Sequence, residues 1–243
     1  IFGVLLAPIR WLLAWWRDDR FLIYKPAVIQ FIGIPGSGKT MSAVCMMYRS
    51  TKGVKAGKYK NARLYATRDA GLKLSRSMTI ESDDLARYKF ANSIILLDES
   101  SLNGFDSREW QHNFKQAQAG EGKIDKKNKL RQLKLHRHYG NSYITTSQSA
   151  NDNDSKIRDG LVQQTWICHN GRWWVKCYRA IIWYKFDNGN YILCVDEPAP
   201  IERFIDPYLS YHVRKSKYGK MYDSWATVPE IDNLPYYRGA KND

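Results

Sequence analysis

Residues 33–40 read G-I-P-G-S-G-K-T and fill every fixed position of the phosphate-binding pattern G-x-x-x-x-G-K-[ST]. An apolar run at 27–32 precedes this loop and a helix-like stretch at 41–48 follows it, which is the strand–loop–helix context that the motif requires. The glycines let backbone N–H groups turn inward around phosphates, Lys39 can reach the β- and γ-phosphates, and the Thr40 hydroxyl can bind Mg²⁺. This stretch predicts an α/β chain that binds a nucleoside triphosphate, with ATP as the first candidate. The alternative is a glycine-rich turn with an accidental Lys-Thr pair.

A second apolar run, at 93–97, ends in the adjacent acids Asp98 and Glu99. Such a run is typical of a central parallel strand whose carboxyl end meets the ligand. Phosphoryl transfer needs a metal and a positioned nucleophile, so we expect Thr40 and Asp98 to hold Mg²⁺, Asp98 through water, and Glu99 to polarise the attacking water. The alternative is an acid pair that only caps the next loop. The predicted nucleotide-binding residues are Gly33, Pro35, Gly36, Ser37, Gly38, Lys39, Thr40 and Asp98.

The strand candidate at 143–148 ends in Gln148, which is a candidate sensor of water or of the γ-phosphate. A polar strand end without such a role is the alternative. Between Lys39 and Asp98 the chain has room for a helix, a strand at 61–67 and a second helix. An extra strand between the loop strand and the acid strand is a mark of the additional-strand branch of P-loop ATPases.

Many ATPases of that branch form rings, in which an arginine of the neighbouring subunit reaches the γ-phosphate. Arg158, Arg137 and Arg108 are the candidates for this arginine, and Arg158 is ranked first. The alternative for each is an ordinary surface arginine in a salt bridge. The predicted catalytic residues are therefore Glu99, Gln148 and Arg158.

The net charge of +14 is concentrated in two segments. Residues 49–76 contain nine lysines and arginines against Asp69 alone, and residues 121–140 contain seven against Glu121 and Asp125. Clustering of this kind favours a polyanionic partner, either nucleic acid or anionic lipid. Two solvated basic loops without a partner are the alternative.

The amino-terminal run at 1–16 is apolar and rich in tryptophan, with Arg10 as its one charged residue. As a helix it would measure about 24 Å, which is shorter than the roughly 20 residues that a bilayer crossing requires. Because the chain begins with Ile, we expect residues upstream of it. Three interpretations stay open: the end of a transmembrane helix, an interfacial helix, or a core helix. Tryptophans beside Arg17, Arg20 and Lys25 favour a membrane boundary with its basic flank in the cytoplasm.

The chain changes character after residue 163. Turn sequences at 170–171 and 187–190 separate the runs 164–169, 172–186 and 191–195, which predicts an antiparallel meander, and five prolines from 198 onward predict an extended tail. The predicted divisions are a membrane-associated or transmembrane-end helix at 1–23, a P-loop ATPase domain at 24–163, a β extension at 164–197 and a tail at 198–243. The predicted fold class is α/β: a P-loop NTPase with a mainly parallel sheet, a C-terminal antiparallel β extension and an N-terminal apolar helix.

Three motifs carry a family resemblance. They are G-I-P-G-S-G-K-T at 33–40, I-I-L-L-D-E at 94–99, and H-R-H-Y-G followed by Y-I-T-T-S-Q within 136–148, with K-I-R at 156–158 beyond them. Together they resemble the zonular occludens toxin (Zot) family, whose best-understood members are assembly ATPases of filamentous phages. The resemblance covers roughly residues 27–170, and the H-R-H-Y-G block ahead of the strand is its most specific part.

The resemblance implies an ATPase of the host inner membrane, with its ATPase domain in the cytoplasm, that drives virion assembly and extrusion. It implies ATP and Mg²⁺ as cofactors. The implied partners are further copies of the chain in a ring, the complex of phage coat protein with single-stranded DNA, the membrane, and other phage assembly proteins. Familiar phage members carry their membrane span after the ATPase domain, whereas the apolar segment here precedes it.

Three functions are compatible with these features. A membrane-associated ATPase for filamentous virion assembly accounts for the nucleotide site, the basic segments and the tryptophan-rich start. A soluble ring ATPase that packages or translocates DNA accounts for the first two. A non-catalytic scaffold stabilised by nucleotide would recruit coat or membrane proteins through the aromatic β extension.

Overall fold

The computed structural model describes residues 2–17, 20–52, 59, 61–81, 83–99, 122–153 and 155–223. The strands in these ranges are β1 (Val28–Ile32), β2 (Arg63–Thr67), β3 (Ser77–Ile80), β4 (Ser93–Leu97), β5 (Ser142–Ser147), β6 (Val162–Asn170), β7 (Trp174–Arg179), β8 (Ile181–Asp187), β9 (Asn190–Asp196) and β10 (Ser210–Arg214). The α-helices are α1 (Phe2–Arg17), α2 (Lys39–Lys52), α3 (Asp84–Arg87), α4 (Gly122–Lys134), α5 (His136–Tyr139), α6 (Ser155–Arg158), α7 (Pro200–Ile205) and α8 (Lys215–Tyr218).

An eight-stranded sheet organises the described chain, in the order β10-β7-β6-β1-β5-β4-β2-β3. The strands from β6 to β3 in this order run parallel, while β7 and β10 are antiparallel at the edge beside β6. β1 and β4 are buried along their whole length, as expected for apolar strands covered on both faces. The chain has the α/β fold of a P-loop NTPase with a mainly parallel sheet, as predicted.

The strand between the loop strand and the acid strand is β5. It pairs in parallel with β1 on one side and with β4 on the other, whereas β2 lies beyond β4 and also pairs with β3. The additional strand is therefore present, but its assignment to the run at 61–67, which forms β2, is wrong. Sequential strands are often but not always neighbours, so their order along the chain does not determine their order in the sheet.

Two apolar clusters cover the two faces of the sheet. Ile29 and Phe31 of β1 belong to the cluster that includes Met46 of α2, and Val28 belongs to the opposite cluster with Leu133 of α4. This division follows from the alternation of side chains along a strand. Packing on both faces holds the end of β1 and the start of α2 in one place, and the loop at 33–40 joins them.

The predicted antiparallel extension is present, with a different division. β6 pairs in parallel with β1, so the first strand of the predicted meander belongs to the main sheet. The run at 172–186 forms two strands, β7 and β8, which meet at Ala180. β7 pairs with β6, whereas β8 and β9 form a separate two-stranded sheet. The predicted domain boundaries themselves stay predictions.

Residues 200–223 are folded onto the rest of the chain, in contrast to the extended tail that the prolines indicate. They form α7, β10 and α8, and β10 pairs with β7 at the sheet edge. Pro200 lies in the first turn of α7, where a missing backbone N–H costs nothing. Residues 224–243 lie outside the described residues.

The basic segment at 121–140 is helical over most of its length rather than a loop. Within α4, Lys129 is buried and its Nζ lies 2.9 Å from Asp83 Oδ1. The Lys129 ammonium group lowers the pKa of the Asp83 carboxyl, first by the hydrogen bond and then by its charge. Lys129 is thus part of the packing between α3 and α4, and it does not belong to an exposed basic surface.

α1 exposes most of its apolar side chains. Ala7 and Ala14 are buried, and the Trp11 indole N–H donates to the Phe204 carbonyl oxygen at 2.8 Å, which attaches α1 to α7. The exposed apolar residues of α1 are Val4, Leu5, Leu6, Ile9, Leu12, Leu13, Trp15 and Trp16. Among the described residues, no helix combines the length and the apolar character needed to cross a membrane.

Candidate nucleotide-binding site

The loop between β1 and α2 contains three glycines with positive φ: Gly33 at 152°, Gly36 at 75° and Gly38 at 90°. Glycine adopts such conformations without the steric cost that a side chain brings. The Gly33 N–H donates to the Gln148 carbonyl oxygen at 3.3 Å, so the loop is tied to the end of β5. Among the described residues, the buried Ser37 hydroxyl oxygen has no hydrogen-bond partner, and a buried polar group of this kind indicates an absent partner such as a ligand.

Lys39 is the first residue of α2, and its ammonium group folds back onto the loop. Nζ donates to the carbonyl oxygens of Gly33 at 2.9 Å and Ile34 at 3.2 Å. Lys39 is only 6% exposed, so its charge needs acceptors close by. Phosphate oxygens share the negative charge of their group and make stronger hydrogen bonds to an ammonium group than neutral carbonyl oxygens do.

Thr40 and Asp98 are in direct contact although 58 positions separate them in the sequence. Thr40 Oγ1 lies 2.9 Å from Asp98 Oδ1 and 3.1 Å from Oδ2, and it donates its proton to the carboxylate. That direction leaves the lone pairs of the hydroxyl oxygen free for a cation. The two predicted metal ligands are therefore adjacent.

Threonine hydroxyls from both neighbouring strands hold the backbone at the end of β4. Thr67 of β2 accepts the Asp98 N–H at 3.0 Å, and Thr146 of β5 accepts the Glu99 N–H at 2.8 Å. Glu99 has φ of 47°, a left-handed conformation that costs a non-glycine residue about 1–2 kcal/mol. Neither threonine was among the predicted site residues. The signal that points to them is a polar residue near the carboxyl end of each strand that flanks the acid strand.

Strand β7 packs directly against the loop. A Cβ atom on Gly38 would lie 2.4 Å from Val175 Cγ2, so a side chain at this position does not fit. The Ser42 hydroxyl donates to the Gly38 carbonyl oxygen at 2.8 Å and accepts from Cys177 Sγ at 3.1 Å. The turn pattern predicted that β7 belongs to a separate extension, whereas its residues pack against the loop at 33–40.

The last described residues also approach the site. Leu72 and Tyr222 form an antiparallel bridge, and the Lys73 N–H donates to the Met221 carbonyl oxygen at 2.8 Å. Burial, and then the negative charge of Asp98, raises the pKa of the Tyr222 phenol. The sequence contains no motif that predicts a contribution from this segment.

Gln148 lies beside the loop, and Arg158 is bound within its own chain. The Gln148 carbonyl oxygen accepts the Gly33 N–H as described above, and the Gln148 side chain is exposed. Arg158 donates from Nε and Nη2 to the two carboxylate oxygens of Asp159 at 2.6 and 3.0 Å, and from Nη1 to Asn151 Oδ1 at 3.0 Å. The hydrogen bond to Asp159 raises the pKa of Arg158. The roles of Gln148 as sensor and of Arg158 as the arginine of a neighbouring site stay predictions.

Arg137 lies in α5, next to the amino end of β5 and therefore at the opposite end of the sheet from the loop. The H-R-H-Y-G block around it forms a helix end: the buried His136 ring contacts the Leu133 carbonyl oxygen at 2.6 Å, and Gly140 ends α5 with φ of 69°. Arg108 lies outside the described residues.

The residues present fit a triphosphate with Mg²⁺. Among the described residues, no atom lies within 4 Å of a Cβ atom placed on Gly36, so the described part of the loop borders open space there. The Ser37 hydroxyl and the Lys39 ammonium group offer hydrogen bonds to phosphate, while Thr40 and Asp98 supply the hard oxygen ligands that Mg²⁺ prefers. In the described part of the chain, no group of three or more His, Cys, Asp or Glu side chains is arranged to hold another metal ion.

The chain is structurally similar to the N-terminal domain of zonular occludens toxin from Neisseria meningitidis, with a TM-score of 0.48 and 18% identity over 82% of this chain and 100% of that chain. It is also similar to the genome packaging NTPase of Sulfolobus turreted icosahedral virus 2 in complex with sulfate, with a TM-score of 0.37 and 11% identity over 73% and 98% of the two chains. A KaiC-like protein from Pyrococcus horikoshii OT3 has a TM-score of 0.37 and 11% identity over 70% and 90%. No family model and no curated protein matches the chain. The Zot domain is thus a structural neighbour of this chain.

Proposed function

We propose that this protein is an ATPase that binds ATP and Mg²⁺ at the loop 33–40 and hydrolyses the γ-phosphate. The observation that carries the proposal is the contact of 2.9 Å between Thr40 and Asp98, beside a loop that contains a buried Lys39. A bound Mg²⁺ would neutralise charge on the β- and γ-phosphates, and Thr40 and Asp98, the latter through water, are the residues that would hold it.

The protein's own groups have separate tasks in this proposal. Backbone N–H groups of the loop and the Lys39 ammonium group bind phosphate oxygens. Glu99 orients the attacking water and accepts its proton, and Gln148 contacts water or the γ-phosphate at the end of β5. Arg158 of a neighbouring subunit supplies positive charge in a ring, which requires its release from Asp159 because that carboxylate binds both Nε and Nη2.

We also propose that α1 attaches the ATPase to the host inner membrane with the ATPase domain in the cytoplasm. The exposed apolar side chains of α1 support this, since Trp15 is 71% exposed and Trp16 is 75% exposed. Tryptophans favour the boundary between lipid and water, and Arg17 ends the helix on a basic residue. Apolar side chains in such numbers are costly in water and favourable in a membrane interface.

The most specific form of the proposal is assembly and extrusion of filamentous virions, in which coat protein replaces other proteins on single-stranded DNA. It is supported by the resemblance of the motifs at 33–40, 94–99 and 136–158 to the Zot family, together with the exposed apolar helix. The proposed partners are further copies of this chain in a ring, phage coat protein with single-stranded DNA, and other phage assembly proteins.

The catalytic and membrane parts of the proposal are tested together on the purified full chain. ATP turnover is measured with and without Mg²⁺, and membrane binding is measured by flotation with vesicles of anionic phospholipid. The double variant Trp15→Ser, Trp16→Ser should lose flotation and keep ATP turnover. Trp173→Ser is the matched control, because Trp173 is 67% exposed and lies outside α1. Absence of Mg²⁺-dependent turnover in the parent protein would contradict the catalytic proposal.

The biological role needs an assay in cells that produce the virus. With Lys39→Ala, virions should no longer be released while viral single-stranded DNA accumulates inside the cell. A soluble DNA-packaging ATPase would give a different result. It would stay in the bottom fraction of a flotation gradient, and its ATP turnover would rise with added DNA in a salt-dependent manner.

A further inference from the structure

The Thr146 hydroxyl makes two hydrogen bonds that connect the Asp98 side chain with the Glu99 backbone. It donates to Asp98 Oδ1 at 2.6 Å and accepts the Glu99 backbone N–H at 2.8 Å. Thr146 is fully buried in β5, between the loop strand β1 and the acid strand β4. One hydroxyl thus contacts the carboxylate of the predicted metal ligand and the backbone of the predicted catalytic glutamate.

We propose that Thr146 is a positioning residue of the ATPase site, whose hydroxyl orients the Asp98 carboxylate toward Thr40 and fixes the left-handed backbone from which the Glu99 side chain extends. The inference rests on the proposed ATPase function. It assigns to Thr146 a role that neither the sequence motifs nor the loop at 33–40 indicates.

The direction of the hydrogen bonds determines how Thr146 acts on the metal ligands. Asp98 Oδ1 accepts from Thr146 and from Thr40, so the Thr146 bond restricts rotation of the carboxylate and keeps Oδ1 in reach of the Thr40 proton. The Thr40 hydroxyl then keeps donating its hydrogen bond to Asp98, and the Thr40 lone pairs stay available to a cation. Loss of the Thr146 hydroxyl should therefore weaken Mg²⁺-dependent binding of nucleotide.

The same hydroxyl acts on Glu99 through the main chain. A non-glycine residue keeps a positive φ only where its surroundings enforce it. Glu99 has such a φ, and the Thr146 hydroxyl accepts the Glu99 N–H. Without that acceptor, the Glu99 backbone would relax and its carboxylate would move away from the position that serves the attacking water. Loss of the hydroxyl should therefore lower kcat as well as Mg²⁺ affinity.

The adjacent residue Thr145 offers a matched control. Thr145 is also buried in β5, but its Oγ1 lies 3.5 Å from the Ile29 carbonyl oxygen, on β1. Thr146→Val and Thr145→Val remove the same hydroxyl group from neighbouring buried positions while keeping the shape of the side chain. Thr146→Ser keeps the hydroxyl and serves as the rescue variant.

The experiment measures binding of a fluorescent, non-hydrolysable ATP analogue in EDTA and across a Mg²⁺ titration, together with kcat. For Thr146→Val we expect the Mg²⁺ concentration at half-maximal binding to rise about 10-fold or more, while nucleotide affinity in EDTA changes less than about 3-fold. We expect kcat to fall about 10- to 100-fold, which is the size expected for lost hydrogen bonds to a charged group. Thr146→Ser should return both values to within about 3-fold of the parent protein. If Thr146→Val does not fold, as judged by thermal denaturation, Thr146→Ala replaces it.

The outcomes separate this inference from the proposed function. Equal Mg²⁺ dependence and kcat in Thr146→Val and Thr145→Val would overturn the positioning role. An equal loss of nucleotide affinity with and without Mg²⁺ would also overturn it, because a general disturbance of the fold gives that result. If the parent protein shows no Mg²⁺-dependent nucleotide binding, the proposed function fails and the inference fails with it.

Discussion

The Lys39 ammonium nitrogen lies 2.9 Å from the Gly33 carbonyl oxygen, so the loop at 33–40 itself supplies an acceptor for its lysine. A second carbonyl oxygen, from Ile34, lies 3.2 Å away. In the proposed complex with a triphosphate, phosphate oxygens would replace these acceptors. The replacement is favourable because a charged acceptor binds the ammonium group more strongly than a carbonyl does.

The first prediction concerns this lysine. Lys39→Ala should weaken nucleotide binding by about 10- to 100-fold, the loss expected when a charged hydrogen-bond donor is removed. Lys52→Ala is the control, since Lys52 is exposed at the other end of α2. Isothermal titration calorimetry with an ATP analogue measures both. Unchanged affinity in Lys39→Ala would exclude this lysine from phosphate binding.

The second prediction separates nucleotide binding from hydrolysis. Glu99→Gln should bind ATP as the parent protein does and reduce kcat by about 10²- to 10⁴-fold, because an amide does not accept the proton of the attacking water. Glu81→Gln, an exposed acid after β3, is the control variant. Phosphate release gives kcat, and equilibrium binding gives the affinity. Hydrolysis at the parent rate in Glu99→Gln would show that another group activates the water.

The third prediction compares two glycines of the loop. Gly36→Ala should destabilise the loop only through its positive φ, by about 1–2 kcal/mol. Gly38→Ala has the same cost plus a clash, because the new Cβ would lie 2.4 Å from Val175 Cγ2. Thermal denaturation should therefore rank Gly38→Ala below Gly36→Ala. Adding Val175→Ala should restore part of the lost stability in Gly38→Ala and none in Gly36→Ala. Equal effects of Val175→Ala on both variants would contradict the packing of β7 against the loop.

The fourth prediction concerns the pH dependence of stability. Burial lowers the pKa of His136 below its usual 6.5, so the unfolded chain binds a proton at this position more readily than the folded one. The neutral ring therefore favours folding above pH 6.5, and this contribution is lost as the pH falls below that value. The free energy of unfolding, measured with urea at about pH 7.5 and about pH 5.5, should fall less between the two pH values in His136→Gln than in the parent protein. His138→Gln, at an exposed position of the same helix, should behave as the parent does; if His136→Gln also behaves as the parent, another group causes the pH dependence.

Local patterns were sufficient to predict the conformation of the loop. The spacing of Gly33, Gly38, Lys39 and Thr40 is a property of consecutive residues, and the φ values of its glycines agree with it. The apolar run that ends in Asp98 predicted a buried strand, and β4 is buried along its whole length. These features depend on side chains within a few positions of one another, so the sequence carries them directly.

The partners of those residues depend on the order of strands in the sheet. Thr67 and Thr146 contact the end of β4 because β2 and β5 flank it, whereas the order of strands along the chain predicted β2 in the position that β5 occupies. Val175 supports the loop because β7 pairs with β6, which pairs with β1. Strand neighbours result from how crossovers pack, which no local pattern encodes.

Consecutive residues alone carry the phosphate-binding motif at 33–40, the acid pair at a strand end and the apolar amino-terminal segment. The tertiary structure alone decided that Thr146 joins Asp98 to Glu99, that Lys129 is buried against Asp83, and that Tyr222 approaches the site. Along the chain, Thr146 lies far from Asp98 and Glu99, Lys129 lies far from Asp83, and Tyr222 lies far from Asp98. The packing of the whole sheet selects these pairings, because it determines which distant side chains share a low-dielectric interior and must satisfy one another there.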